Sequence, residues 1–571
     1  MKYLSGGFMA DLLVALRKAL KVATLATILA AGGAESASAS TWAGGSSDWS
    51  NNTPPTGWNG TGMPNAIGAI ADNPITTSGT TIQNVAPGVT VGTLSLSGSG
   101  DFSWSHTLTN PITLNQDGAG AGFATISNSN SSTGAINSLI LGGAGTLTLA
   151  DDLLVANTGG STNPLASIQI SSTIGGAGNL TLRSDSTSLL GGFILFDTGV
   201  NTFTGNVLVQ KGITTIRVST SLGAATNAVT LGQSGQGGAA LITTTNAADP
   251  AYPITVAAGA GGTLALGTTT TSSTSGGSVF SGPITLNGNV SLQALGSAGT
   301  ATFSGIISGN GGVSIDSAAT GIVAISALNT YAGDTVINSG VLLSTNSVPD
   351  GPGKGNLFVN TGATFSLGTS NDAVNGLSGA GTVTSTSGTR TITVGGNDQS
   401  SLFTGRFTNG TGGLAKTGSG TFTLRPTAVS TFTGSLNVNY NNGKVQLDFA
   451  NMATPTNIIN SAAPLLVRGG TLEIVGKSAA ATSQTFASYT STITAGTDSQ
   501  ILLTPQGGGS VTLTITSPTI SARPVGATLD FSVGGTGTGT FAWTTGNVPT
   551  TAGAWATFNR NNWAVSNGTN I

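Results

Sequence analysis

Residues 413 to 447 read GLAKTGSGTFTLRPTAVSTFTGSLNVNYNNGKVQL. Two runs alternate apolar and polar residues, TFTL at 421–424 and SLNV at 435–438, on either side of a Thr-Phe-Thr-Gly turn; a third, KVQL at 444–447, follows an Asn-Gly turn. Alternation with a period of two sends one set of side chains into a core and the other to solvent, and the Gly, Asn and Ser clusters between the runs supply turns.

The same phrase recurs from about residue 78 to 540, for example as TLTL at 146–149, LTLR at 180–183, TITV at 391–394, TLEIV at 471–475 and LDFSV at 529–533. Apart from the N-terminal segment, no apolar residues recur at spacings of three and four. The mature chain therefore reads as all-β.

Two signatures repeat by content. One is Gly-Ala/Ser-Gly leading into a strand, at Gly143 to Leu149, Gly176 to Leu182 and Gly418 to Leu424, with a weaker copy at Gly379 to Thr384. The other is an aromatic-x-Gly turn feeding a strand, at Phe203 and Gly205, Tyr331 and Gly333, and Phe432 and Gly434, with shorter echoes at Phe280, Phe303 and Phe403. The spacing is irregular, so loops of variable length separate the units.

One unit of about 20 to 30 residues cannot bury its own apolar face, but stacked units can. A single core stops growing near 250 to 300 residues, so a chain of 571 residues with this repeat is expected to form an elongated parallel β-helix, or β-solenoid. Neighbouring strands lie about 4.7 to 4.9 Å apart, so roughly 20 to 25 coils would make a rod on the order of 100 Å long. Outward Thr, Ser and Asn would line up in rows along it.

At the N-terminus, Lys2, Arg17, Lys18 and Lys21 precede VATLATILAA at 22–31, and Ala37 and Ala39 stand in the small-x-small arrangement of a signal-peptidase site. The apolar core is about 10 residues, short of the ~20 that span a bilayer. Residues 1–39 are read as a signal peptide removed after Ala39, with Met1 or Met9 as the start. No later segment is apolar enough for a membrane helix. The chain has no cysteine, so an exported product would lack disulfide staples. The remaining divisions are a Trp-containing capping segment with the first coils at 40–125, the repeat solenoid at 126–450, and C-terminal coils with a Trp-containing end at 451–571.

Charged residues make up only 6% of the chain, and 17 basic against 20 acidic residues leave a net charge of −3. That is too small and scattered to attract a polyanion, which excludes nucleic acid as a partner.

The stretch quoted at the start, with Leu414-Ala-Lys416-Thr-Gly418-Ser-Gly420 followed by Phe432-Thr-Gly434 and Val445-Gln-Leu447, resembles the autotransporter-associated β-strand repeat of bacterial passenger regions. Trp42 to Asn52 resembles the opening segment of such chains, and Ala554 to Ala564 their downstream region. The resemblance implies a secreted or outer-surface protein of Gram-negative-type bacteria. Such proteins end in a membrane barrel; this sequence stops at Ile571 with neither a barrel nor an apolar anchor, which leaves release or truncation as the expectation.

Catalytic chemistry has little to stand on. His106 is the single histidine, so triads and His-rich metal sites would rest on one residue, and it reads as an ordinary strand position. Asp151 and Asp152 are adjacent, and strand neighbours face opposite ways, which is wrong for a carboxylate pair flanking a glycosidic bond; they read as solvated turn acids. A glycan-cleaving β-helix, either a polysaccharide lyase or a glycosidase, is the enzyme alternative. It would use a stacked basic pair, for which Arg406 and Arg425 are the candidates with Lys416 nearby and no acid beside them. Gly118 to Gly122 lacks the Lys-Ser/Thr of a phosphate loop, and Gly395 to Asp398 lacks the repeated Asp of a calcium roll. No cofactor or metal is called for. The tryptophans gather near the two ends, where a solenoid must cover its terminal coil. The sequence thus points to a structural and adhesive protein that meets other cell surfaces, glycans or its own kind.

Overall fold

In the run at 421–424, Phe422 and Leu424 are buried and Thr421 and Thr423 are partly exposed. The next strand, Lys444–Asp448, lies parallel and in register, with Phe422 beside Val445 and Leu424 beside Leu447. The strand after it sets Leu472 and Ile474 on the same two inward columns, followed by Ile501 and Leu503. Each apolar side chain therefore stacks on its equivalent one coil away, and this continues along the molecule as one cluster from Ala71 to Ala556.

A computed structural model describes the chain between Ala39 and Ala564. The residues outside its description are 1–38, 43–46, 49–57, 60–63, 74–78, 85–87, 98–101, 118–122, 130–136, 160–165, 186–193, 197–199, 245–248, 270–277, 297–298, 386–389, 409–410, 440–442, 491–496, 520–525, 544–555 and 565–571. The signal-peptide reading of 1–39 and Ala37 fall almost wholly there; Ala39 opens the strand Ala39–Trp42. Among the described residues there is no α-helix; beside the strands, a 3-10 turn runs over Phe449–Asn451, capped by Asp448. No helix among them is long and apolar enough to cross a membrane.

The coil has three faces. One ladder runs the whole described length, from Ser47–Asp48 to Ala556–Phe558, through twenty-one parallel strands. Twenty steps at the usual strand spacing give about 100 Å, the length expected from the repeat. Coil length varies from 20 residues, Leu357 to Leu377, to 36, Ser47 to Gln83, with the difference taken up outside the strands.

The face preceding this ladder carries a first set of strands from Ala39–Trp42 to Ile307–Gly309 and an eight-stranded second set from Asp372–Val374 to Thr538–Trp543. The face following it carries four strands ending at Thr173–Gly176 and seven from Ser278–Phe280 to Arg406–Phe407. At either end an antiparallel strand closes an edge: Trp58–Asn59 pairs back on Ala39–Trp42, with Trp42 opposite Trp58, and Asn562–Trp563 pairs back on Ala556–Phe558.

Candidate functional site

The repeat signatures take structural positions. Leu149, Leu182 and Leu424 are buried, as are Phe203, Tyr331 and Phe432. Gly143 and Gly176 have φ of 108° and 105°, a region closed to side chains, and a Cβ at Gly176 would stand 2.3 Å from the Leu149 carbonyl oxygen of the preceding coil. Gly418 also has positive φ, 70°. Gly205, Gly333 and Gly434 serve a different need, because the aromatic turn lays the backbone directly against the coil before it. A Cβ at Gly205 would meet the Gly178 oxygen at 2.1 Å, and one at Gly333 the Gly312 nitrogen at 2.5 Å.

The asparagine two residues before the aromatic was not singled out by sequence, yet it ties three coils together. Asn201 accepts from the Ile174 amide at 2.7 Å and donates to the Ser221 carbonyl at 2.6 Å. Asn329 does the same with Ile307 at 2.8 Å and Ser347 at 2.9 Å.

The basic pair Arg406 and Arg425 does not form. Arg406 lies on the third face, beside Thr382, while Arg425 follows a strand of the continuous ladder and pairs with Asp448 at 2.8 Å. An acid does accompany Arg425, supplied by the next coil. Lys416 is buried on the remaining face, where its ammonium donates to the Thr417 and Gly418 carbonyls. Burial lowers its pKa to about 8, against the pull of the Asp398 charge.

Asp151 corrects the reading of solvated turn acids, while Asp152 stays half-buried with exposed hydrogen bonds. Asp151 is 2% exposed and accepts from the Gln116 amide at 2.5 Å, fixing the preceding coil. Asp152 turns the other way and accepts from the Asn179 amide at 2.8 Å in the next. Asp398, at the end of the Gly395 turn, has φ of 63° and accepts from the Ser419 amide at 2.7 Å. His106 lies in the strand Phe102–Thr107, in register with Leu141. Gly118 to Gly122 lie outside the described residues.

One buried polar group stands out inside the column. Asp372 is 2% exposed, its Oδ2 accepts from the Ser344 hydroxyl, and its Oδ1 has no hydrogen-bond partner. Burial pushes its pKa up to about 7, outweighing the hydrogen bonds from Ser344 and from the Ala373 and Ser347 amides; the Asp350 charge adds to the rise. Tyr331, whose hydroxyl is 2.6 Å from that of Thr335, titrates well above the usual phenol range because it too is buried.

On the outward side, the continuous ladder carries a groove of about 520 Å³ near its C-terminal end. Register stacks Thr471, Gln500, Asp530 and Thr557 in one column, with Asp498 beside Thr528 in the neighbouring one. Asp530 is the hub. It accepts from the Thr557 hydroxyl at 2.7 Å, the Arg560 amide at 2.8 Å and the Gln500 amide at 3.1 Å, and also from Ser532. Burial raises its pKa, but these hydrogen bonds outweigh it and hold the carboxyl below its usual value. The Arg560 guanidinium reaches only to 3.9 Å and is 71% exposed. Trp563 stands directly across from Thr557 in the closing antiparallel pair.

No family model and no solved structure matches the chain. It is 30% identical over 245 residues to the adhesin BmaC autotransporter of Brucella suis biovar 1 (strain 1330), a match that takes in 43% of this chain and 6% of that protein. The chain therefore matches a small part of its relative's length. The likeness and the β-solenoid together fit an autotransporter passenger-type protein.

Proposed function

We propose that the chain is an adhesive passenger rod, exported through residues 1–39 and held at the outer cell surface or released from it. Its work is to carry rows of outward side chains to other cell surfaces, to glycans or to further copies of itself. The observation that supports this reading is the unbroken apolar column from Ala71 to Ala556, which makes one stiff body of many weak units and leaves the outward faces free to vary. The likeness to an autotransporter adhesin points the same way.

Beads coated with the purified chain test it. They should settle on epithelial monolayers in greater numbers than albumin-coated beads and lose that excess when soluble chain competes. Equal retention of both bead types would refute an adhesive role.

A further inference from the structure

Three features compete for a ligand. The cavity of about 560 Å³ between Asn179 and Ala258 is lined by amides already spent on the coil: Asn179 binds Asp152 and the Asn206 amide, and Asn206 accepts from the Ala228 amide at 3.1 Å. Lys416 is closed off at 1% exposure. The groove around Asp530 remains.

We propose that this groove binds a neutral glycan, a proposal that rests on the adhesive reading above and gives it a site. The argument begins with preorganisation. Asp530 is 6% exposed, and its oxygens fix Thr557 and Gln500 before any ligand arrives, so little side-chain freedom is left to lose on binding. Sugar hydroxyls both donate and accept, and the groove offers both partners. Asp498 is an acceptor at its rim that the Thr528 hydroxyl already donates to, Thr528 and Thr557 keep acceptor lone pairs while their protons are held by Asp498 and Asp530, Thr471 carries a further hydroxyl, and the exposed Arg560 fork is a donor only loosely engaged by Asp530.

Charge then selects among glycans. Two carboxylates against one guanidinium leave the lining net negative, which repels uronate or sialylated chains and admits an uncharged polyol. Parallel stacking repeats the polar groups every 4.7 to 4.9 Å or so along the rod, giving an extended chain successive contacts from four adjacent coils.

Calorimetric titration of the full chain with cellohexaose, mannohexaose and the acidic hexamer of galacturonate tests the proposal. The expected result is saturable binding of a neutral hexaose, weaker or absent binding of the acidic one, and a loss of about tenfold or more in Arg560→Ala and in Asp498→Asn, each the removal of one charge-assisted hydrogen bond. Circular dichroism should be unchanged in both variants, since both residues lie at the groove's exposed rim.

Binding to neither neutral hexaose, stronger binding of the galacturonate hexamer, or undiminished binding in both variants would overturn the proposal. The bead assay separates the two levels. Beads that still adhere while no hexaose binds remove the groove and keep the adhesin; beads that never adhere remove the adhesin whatever the titration gives.

Discussion

Replacing Asp372 by Asn should stabilise the protein, and by more as the pH rises. The carboxyl is 2% exposed with one oxygen unpartnered, and its pKa stands at about 7 against an ordinary 3.8. A carboxyl raised in the folded state favours folding while it stays protonated. Its contribution is complete below the unfolded value and is lost as pH climbs from there through the folded value. At about 1.4 kcal/mol per pH unit, the whole span is worth on the order of 4 kcal/mol, and the part between pH 5 and pH 8 about 3 kcal/mol. Asn keeps an acceptor for the Ser344 hydroxyl and carries no charge into the column.

The assay is equilibrium unfolding in guanidinium, followed by far-UV circular dichroism, for both proteins at pH 5 and pH 8. The margin of Asp372→Asn over wild type should widen by about 3 kcal/mol from the first pH to the second. A margin equal at both pH values, or a variant less stable than wild type at pH 8, would refute the reasoning.

Gly434→Ala should cost about 3 kcal/mol or more, because its Cβ would fall 0.8 Å from the Gly412 oxygen and neither backbone can retreat without breaking register; thermal unfolding compared with wild type reads it. Asn201→Ala and Asn329→Ala should each cost about 3 kcal/mol, as each strands a buried amide and a buried carbonyl. The two sites are far apart in the stack, so the double variant should show the sum within about 0.5 kcal/mol. Lys416 is lowered to about 8 from 10.5, so its charged form is the disfavoured one in the fold. Wild type should therefore gain stability over Lys416→Met as pH rises from 7 to 10, a trend that denaturation midpoints along that series would show or deny.

The strands were legible because their signal is local. In TFTL and KVQL the alternation alone says that Phe422, Leu424, Val445 and Leu447 face inward, and the structure buries all four. The aromatic and glycine of the turn were legible as a pair for the same reason. What sequence could not supply was the partner one coil away. Arg425 meets Asp448 after 23 residues, while Lys444 meets Glu473 after 29, and coil lengths that vary this much offer no fixed offset to search. Asp151 was misread because an acid at a turn is solvated by default, and nothing nearby in sequence reveals that Gln116 will come to meet it. The groove suffers from the same gap: Gln500 and Asp530 lie thirty residues apart and become neighbours only through register. Aligning TLEIV with TLDFS by their apolar positions would instead have set Thr471 beside Thr528, two residues away from the observed register.

The interruption between Ile307–Gly309 and Asp372–Val374 follows from the same economy of ladders and corners. Over that interval the first face has no strand; the Thr330 and Ala332 amides still donate to the Ile307 and Gly309 carbonyls, and side chains satisfy further backbone groups. Asn375 donates to the carbonyls of Gly351, Lys354 and Gly355 and accepts from the Gly351 amide at 2.7 Å, while Lys354 reaches the Thr330 carbonyl at 2.5 Å. Where strands resume, the first inward position is Asp372 in place of the aliphatic residues, Ile392 and Leu414, that follow it in the column. A repeat fold contacts only its neighbours, so a weak coil is not rescued from a distance. The rod should therefore open first at this point when pH rises above 7, because there alone, among the described coils, an interrupted ladder coincides with a buried carboxyl one of whose oxygens has no partner.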